Sequence, residues 1–155
     1  MVTSLQAYKK FGDPRKEASM ILFKIPKELQ IGAIPVRVYC NKLLVEPLTN
    51  ALTALIDRGF ISELKEWNGC FLIRPMRGYE GKYKAAINAG QLEKAMTYVS
   101  MHSWGLAVDV NASENPLGKV GKLTPGFVKC FTDNGFDWGG TFTRCDGMHF
   151  QLAKI

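Results

Sequence analysis

Two short segments, far apart in the chain, alternate apolar and polar residues, and each polar face carries a group able to bind a cation. They are Leu106-Ala107-Val108-Asp109-Val110-Asn111 and Met148-His149-Phe150-Gln151-Leu152. A repeat of two is the repeat of a strand with one buried face. Leu106, Val108 and Val110 therefore belong to a core and Asp109 points away from it; Met148, Phe150 and Leu152 are buried likewise, leaving His149 and Gln151 on the polar side. If the two strands are neighbours, Asp109 and His149 project into one cleft. The only other histidine is His102, seven positions before Asp109. That odd separation would put it on the opposite face of a continuous strand, so the chain has to turn between them if both are to bind one ion, and Gly105 permits the turn.

Two imidazoles and one carboxylate, with a position left for water, suit a catalytic Zn²⁺ better than a closed structural one. The plainer alternative is a pair of unrelated, hydrogen-bonded histidines. Asp146 stands three residues before His149 across an Asp-Gly turn. It either takes a proton from metal-activated water or merely fixes the turn through its own backbone, and spacing alone does not separate these. Ser103 beside His102 lacks a nucleophile elbow, and Cys145 as a thiol nucleophile leaves Asp109 without a role.

The rest of the chain supplies a scaffold. Met1 to Ser19 reads as a short helix followed by a turn around Gly12-Asp13-Pro14. Met20 to Ile25 and Pro35 to Tyr39 read as two strands that could pair across Gly32. Leu43, Leu44, Leu48, Leu52, Leu55 and Ile56 recur at helical spacing between a capping Asn41 and a stop at Gly59. Gly69 to Gly78 is expected as a buried strand ending in Arg74-Pro75-Met76-Arg77, whose two arginines could face an anion. Tyr79 to Ala89 reads as a loop, Gln91 to Val99 as a short helix, Ala112 to Leu123 as a surface loop. Thr124-Pro125 starts a helix that ends near Asn134-Gly135, and Phe136 to Thr143 is a short strand or irregular. Trp104 and Trp138 are each candidates for a groove wall or for burial.

With 155 residues, 46% of them hydrophobic, the chain can fill one substantial core. One domain over residues 1–155, with the motifs between about 70 and 152, is the expectation. The formal charge of +6 comes from basic residues scattered in ones and twos, which attracts polyanions without naming one. No membrane-spanning run and no apolar stretch of a secretory leader are visible, so a cytoplasmically made soluble product, exported only with outside help, is expected. Cys40, Cys70, Cys130 and Cys145 show no zinc-ribbon spacing and read as reduced thiols.

Taken together, Ser100-x-His102-x-x-Gly105-x-Ala107-x-Asp109 and Asp146-Gly147-x-His149-Phe150 resemble the zinc D,D-carboxypeptidase and L-alanyl-D-glutamate peptidase family, which includes vancomycin-resistance carboxypeptidases and phage endolysins. The DxxH form is that of the phage-type endopeptidases, and the resemblance runs from roughly Phe71 to Leu152. It implies an α+β fold of the Hedgehog/D,D-peptidase type: a central, mainly antiparallel sheet with helices packed on it and zinc in an open groove. It further implies His102, Asp109 and His149 as zinc ligands and Asp146 as catalytic base. An upstream arginine would steady the oxyanion or hold a substrate carboxylate. The family's Ser-Gly-Tyr-Arg context is absent here, and Arg77 aligns best, with Arg74 as second candidate. Ser100, Arg74 and Trp104 are expected on the substrate side. The substrate implied is the stem peptide of bacterial peptidoglycan, cut by a monomer with no nucleic-acid partner; a D-alanyl-D-alanine carboxypeptidase or a non-catalytic zinc-containing wall-binding domain are the alternatives.

Overall fold

Asn41 closes one element and opens the next in the computed structural model, which describes residues 1–155. Its backbone ends β2 (Arg37–Asn41), antiparallel to β1 (Met20–Lys24) with Leu22 opposite Tyr39. Its side chain accepts from Leu43 N–H at 3.1 Å, capping a turn of 3₁₀ helix that runs into α2 (Val45–Asp57). Leu48, Leu52 and Leu55 form the buried stripe of this helix, extended by Leu44 in the turn before it, and Gly59, at φ +79°, allows the chain to leave it.

The central sheet has four antiparallel strands in the order β3-β4-β6-β5: β3 (Trp67–Gly69), β4 (Ala107–Val110), β6 (His149–Leu152) and β5 (Phe136–Trp138). The register of β4 against β6 sets Asp109 directly opposite His149 and Val108 opposite Phe150. One face is covered by α5 (Pro125–Thr132), capped by Thr124 as its sequence promised. From it Phe131 stacks on Phe150 with ring centroids 4.3 Å apart, and Phe127 packs beside them. Val108, Val110, Phe150 and Leu152 join this core, which continues into the stripe of α2. The other face carries Asp109, His149 and Gln151. The amino-terminal α1 (Ser4–Phe11) begins near that face, with Ser4 Oγ donating to Val99 O at 2.6 Å. The architecture is thus α+β, and no helix is long and apolar enough to cross a membrane.

Two expectations are overturned. Tyr79 to Ala89 is not a loop, since Glu80–Asn88 forms α3, which packs on α4 (Leu92–Met96). Gly81 and the two lysines of this segment hide a short face made of Tyr83 and Ala86, enough to dock it but not to show as a strong stripe. Nor is Gly69 to Gly78 a buried strand: Leu72 and Ile73 are 59% and 41% exposed. The backbone there is satisfied by residues 98–103. Leu72 N–H donates to His102 O and Met76 N–H to Tyr98 O, with one isolated bridge between Pro75 and Val99. The apolar run reads as core, but its position is a brace along the segment that carries His102.

Candidate metal centre and groove

His102 lies in a turn of 3₁₀ helix, Met101–Trp104, opened by Ser100, whose Oγ accepts from His102 N–H. Gly105 ends that turn at φ +64°. A Cβ there would meet Asn41 N at 2.6 Å, so the position needs glycine for its conformation and for its space. Past it the chain enters β4, and the ring of His102 comes round to the side chain of Asp109.

Three atoms converge: His102 Nε2, His149 Nδ1 and Asp109 Oδ1. They are separated by 3.2 Å between the two nitrogens and 3.1 Å from each nitrogen to the oxygen. The opposite nitrogen of each ring has its own acceptor. His102 Nδ1–H donates to Cys70 O at 2.7 Å, and His149 Nε2–H donates to Gln151 Oε1 at 3.2 Å. Gln151 in turn donates from Nε2 to Val2 O at 3.1 Å, which fixes its amide with the oxygen toward the ring. With both outer nitrogens carrying their protons, the converging atoms are three lone pairs, one on an anion. A metal ion would satisfy all three at once, as would, in its absence, a proton shared between His149 and Asp109. A zinc ion at ~2.0–2.2 Å from tetrahedral ligands holds them roughly 3.3 Å apart, so the donor set fits Zn²⁺ in chemistry and spacing. The outer acceptors supply the fixed tautomers that metal-bound histidines ordinarily need.

The electrostatics agree. Burial opposes the charge on Asp109, but hydrogen bonds and charge from His102 and His149 win and hold its carboxyl well below the usual range. Burial likewise disfavours the His149 imidazolium, yet Asp109, with help from Asp146, pulls its pKa above the ordinary 6.5. Asp146 moves the other way: burial, partly offset by His149, pushes its carboxyl up. Its Oδ1 is buried without a hydrogen-bond partner in the chain, as is Oδ2 of Asp137. The backbone carbonyl of Asp146 accepts from His149 N–H at 3.1 Å, so the turn closes without the side chain.

These groups line a groove of about 510 Å³ that also receives Ser100, Arg74, Arg77, Tyr79, Phe142 and Arg144. Both arginines from the Arg-Pro-Met-Arg stretch are therefore at the groove. Trp104, expected on the substrate side, is not: it is 3% exposed and donates from its indole to Gly12 O at 2.9 Å, against the amino-terminal arm. Trp138 donates to Gly147 O and is also absent from the lining. Sequence reasoning missed Arg144, and placed Gln151 on the polar face without giving it a role. Gln151 is two positions after His149 on the same face of a strand; Arg144 sits in a loop with no periodicity to betray it. All four cysteines are free, and burial pushes the Cys40 thiol up to about 12 and Cys70 well above its usual value, which leaves both protonated and inert.

Comparison with known proteins finds no match among curated proteins and none among solved structures. Residues 93–152, under half of the chain, match a family model described as D-alanyl-D-alanine carboxypeptidase. That segment holds His102, Asp109, Asp146 and His149 and excludes Arg74 and Arg77. The match supports reading the chain as a peptidase of the carboxypeptidase-like kind that the model describes.

Proposed function

We propose that the chain is a zinc-dependent peptidase that hydrolyses a peptide bond in the stem peptide of bacterial peptidoglycan, acting as an L-alanyl-D-glutamate endopeptidase of the phage endolysin kind. The observation that carries this reading is the convergence of His102 Nε2, His149 Nδ1 and Asp109 Oδ1 beside the unpartnered Oδ1 of Asp146. Bound there, zinc supplies Lewis acidity to the scissile carbonyl and lowers the pKa of water to ~7.

The side chains of the chain do the rest. His102, Asp109 and His149 hold the cation, and Cys70 O and Gln151 keep the two rings in the liganding tautomer. Asp146 accepts the proton of the attacking water and returns it to the leaving amine; its raised pKa suits a group that must both take and give. Arg77, whose charge is felt at Asp146, offsets the negative charge that grows on the carbonyl oxygen. Ser100 and Arg74 lie where a peptide would pass. The basic surface suits a polymer rich in phosphate and carboxylate. The place of action under this reading is the wall, reached from the cytoplasm through a lesion made by another protein.

One observation favours a second reading: the matched family model is described as a D-alanyl-D-alanine carboxypeptidase, which would move the cut to the terminal bond with the same residues in the same roles. Digestion of purified peptidoglycan with and without chelator, followed by mass spectrometry, separates the two. New amino-terminal D-glutamate marks the endopeptidase and free D-alanine the carboxypeptidase. Fragments that form equally in chelator, or none at all, would remove the enzymatic claim.

A further inference from the structure

Residues 1–4 lie outside the segment that matches the family model, yet they line the same groove as the metal centre. They are anchored from both sides. Thr3 closes a capping box with Gln6 at the start of α1, and Ser4 Oγ donates to the carbonyl of Val99. At the far end of that helix the carbonyl of Gly12 accepts from the indole of Trp104, which belongs to the same 3₁₀ turn as His102. Val2 is 7% exposed and its side chain joins the hydrophobic core. Its carbonyl therefore has a fixed place, where it accepts from Gln151 Nε2 at 3.1 Å. Asp137 stands opposite Gln151 in the register of β5 on β6, yet its Oδ2 has no hydrogen-bond partner, so the amide takes its acceptor from Val2.

A primary amide has an acceptor end and a donor end, and the end that faces His149 decides which ring nitrogen carries the proton. With the oxygen toward the ring, Nε2 is protonated and Nδ1 keeps the lone pair that meets His102 Nε2 and Asp109 Oδ1. Turned over, the amide would donate to Nε2, drive the proton to Nδ1 and close that position to a cation. It would also set its own oxygen against the oxygen of Val2. We infer that Val2 is a positioning residue of the metal centre: its backbone carbonyl holds the Gln151 amide one way round, and Gln151 holds His149 in the tautomer whose Nδ1 is open to a cation. The inference rests on the metal-centre part of the proposed function and deepens it. Val2 acts only through Gln151, so its effect vanishes when the side chain at position 151 has no donor end to be oriented.

The test measures zinc affinity by chelator competition in a two-by-two set. One change removes the Val2 carbonyl, in a chain released from a cleavable leader so that it begins at Thr3. The other is Gln151→Glu, whose carboxylate accepts from His149 Nε2–H with either oxygen and has no N–H to give. Val2→Gly, which keeps the chain length and removes only the side chain that seats the carbonyl, stands beside the truncation, and melting temperatures of the metal-free chains report whether each variant folds. With Gln151 in place, loss of Val2 is expected to weaken zinc binding by about 10-fold, the scale found for groups that orient a liganding histidine, and Val2→Gly by a smaller factor in the same direction. In the Gln151→Glu background neither change lowers the affinity by more than about 2-fold, the non-additivity of two groups on one path. A folded variant of either kind that binds zinc as the wild type does overturns the inference, and so does an equal loss in both backgrounds, which is the mark of structural support alone. A wild-type chain that takes up no zinc would instead overturn the metal centre on which the inference rests.

Discussion

Asp146 and Gln151 flank His149 and do different work, so substitutions at the two should separate cleanly. On the proposed mechanism Asp146→Asn keeps the shape and removes the base: it should retain zinc while hydrolysis falls by about 10²–10⁴-fold, read by elemental analysis beside a peptide-release assay. Gln151→Ala leaves the His149 Nε2–H without its acceptor and should weaken zinc affinity by roughly 10–100-fold in a chelator competition. The same residues give the metal-free chain a distinctive pH profile. Asp109, depressed from its ordinary 3.8, contributes stability that is present above that value and lost as pH falls below it. His149, raised from 6.5, contributes stability that is full below that value and lost as pH rises through its higher folded pKa. The melting temperature of chelated protein should therefore be highest between about pH 4 and pH 6.5, and Asp109→Asn should flatten the profile. Zinc-loaded protein should instead gain stability as pH rises through the His149 titration, because the ion needs the neutral ring. At this scale the sequence was informative wherever a residue sat in an alternating strand: Asp109 and His149 were legible from period two alone. Arg144 was not, since a loop side chain is placed by what it rests on, here Gly78, and no spacing encodes that.

The pairing of β4 with β6 brings two remote motifs together, and Gly105 lets the ring of His102 join Asp109 and His149. Gly105→Ala puts a side chain at φ +64° and against Asn41 N. It should cost about 1–3 kcal/mol from the left-handed backbone alone, measured by denaturant unfolding, and should weaken zinc binding because His102 is displaced with the turn. The hairpin β1–β2, the leucine stripe of α2 and the capped α5 were all legible, since each has a strong period and a chemically marked end. The brace at Cys70 to Met76 was not, because a continuous apolar run looks the same whether it enters a sheet or lies along a loop. Its hydrogen bonds to residues 98–103 and the Cys70 carbonyl on His102 Nδ1 give it a function that hydropathy cannot express. Helix α3 was hidden for the opposite reason: it buries only Ala86 fully, too small a face to stand out from its glycine and lysines.

Across the molecule the two sides of the central sheet have separate duties. One holds the aromatic cluster of Phe127, Phe131 and Phe150; Phe131→Ala should cost about 3–5 kcal/mol of unfolding free energy while leaving the metal stoichiometry of the folded fraction intact. The other side holds the polar groups and the groove, and depends on the first only for the register that sets Asp109 against His149. The formal charge of +6 adds a general attraction to anionic polymers that salt should weaken, whereas the groove's own selectivity rests on placed groups. All of this depends on a cation joining two imidazoles and a carboxylate. The most direct test is elemental mass spectrometry of the purified, extensively dialysed chain after exposure to stoichiometric zinc. One zinc per chain, lost when His102 and His149 are both replaced by alanine in a protein that still folds, is the result this account predicts. Wild-type protein that retains no zinc under those conditions would contradict it.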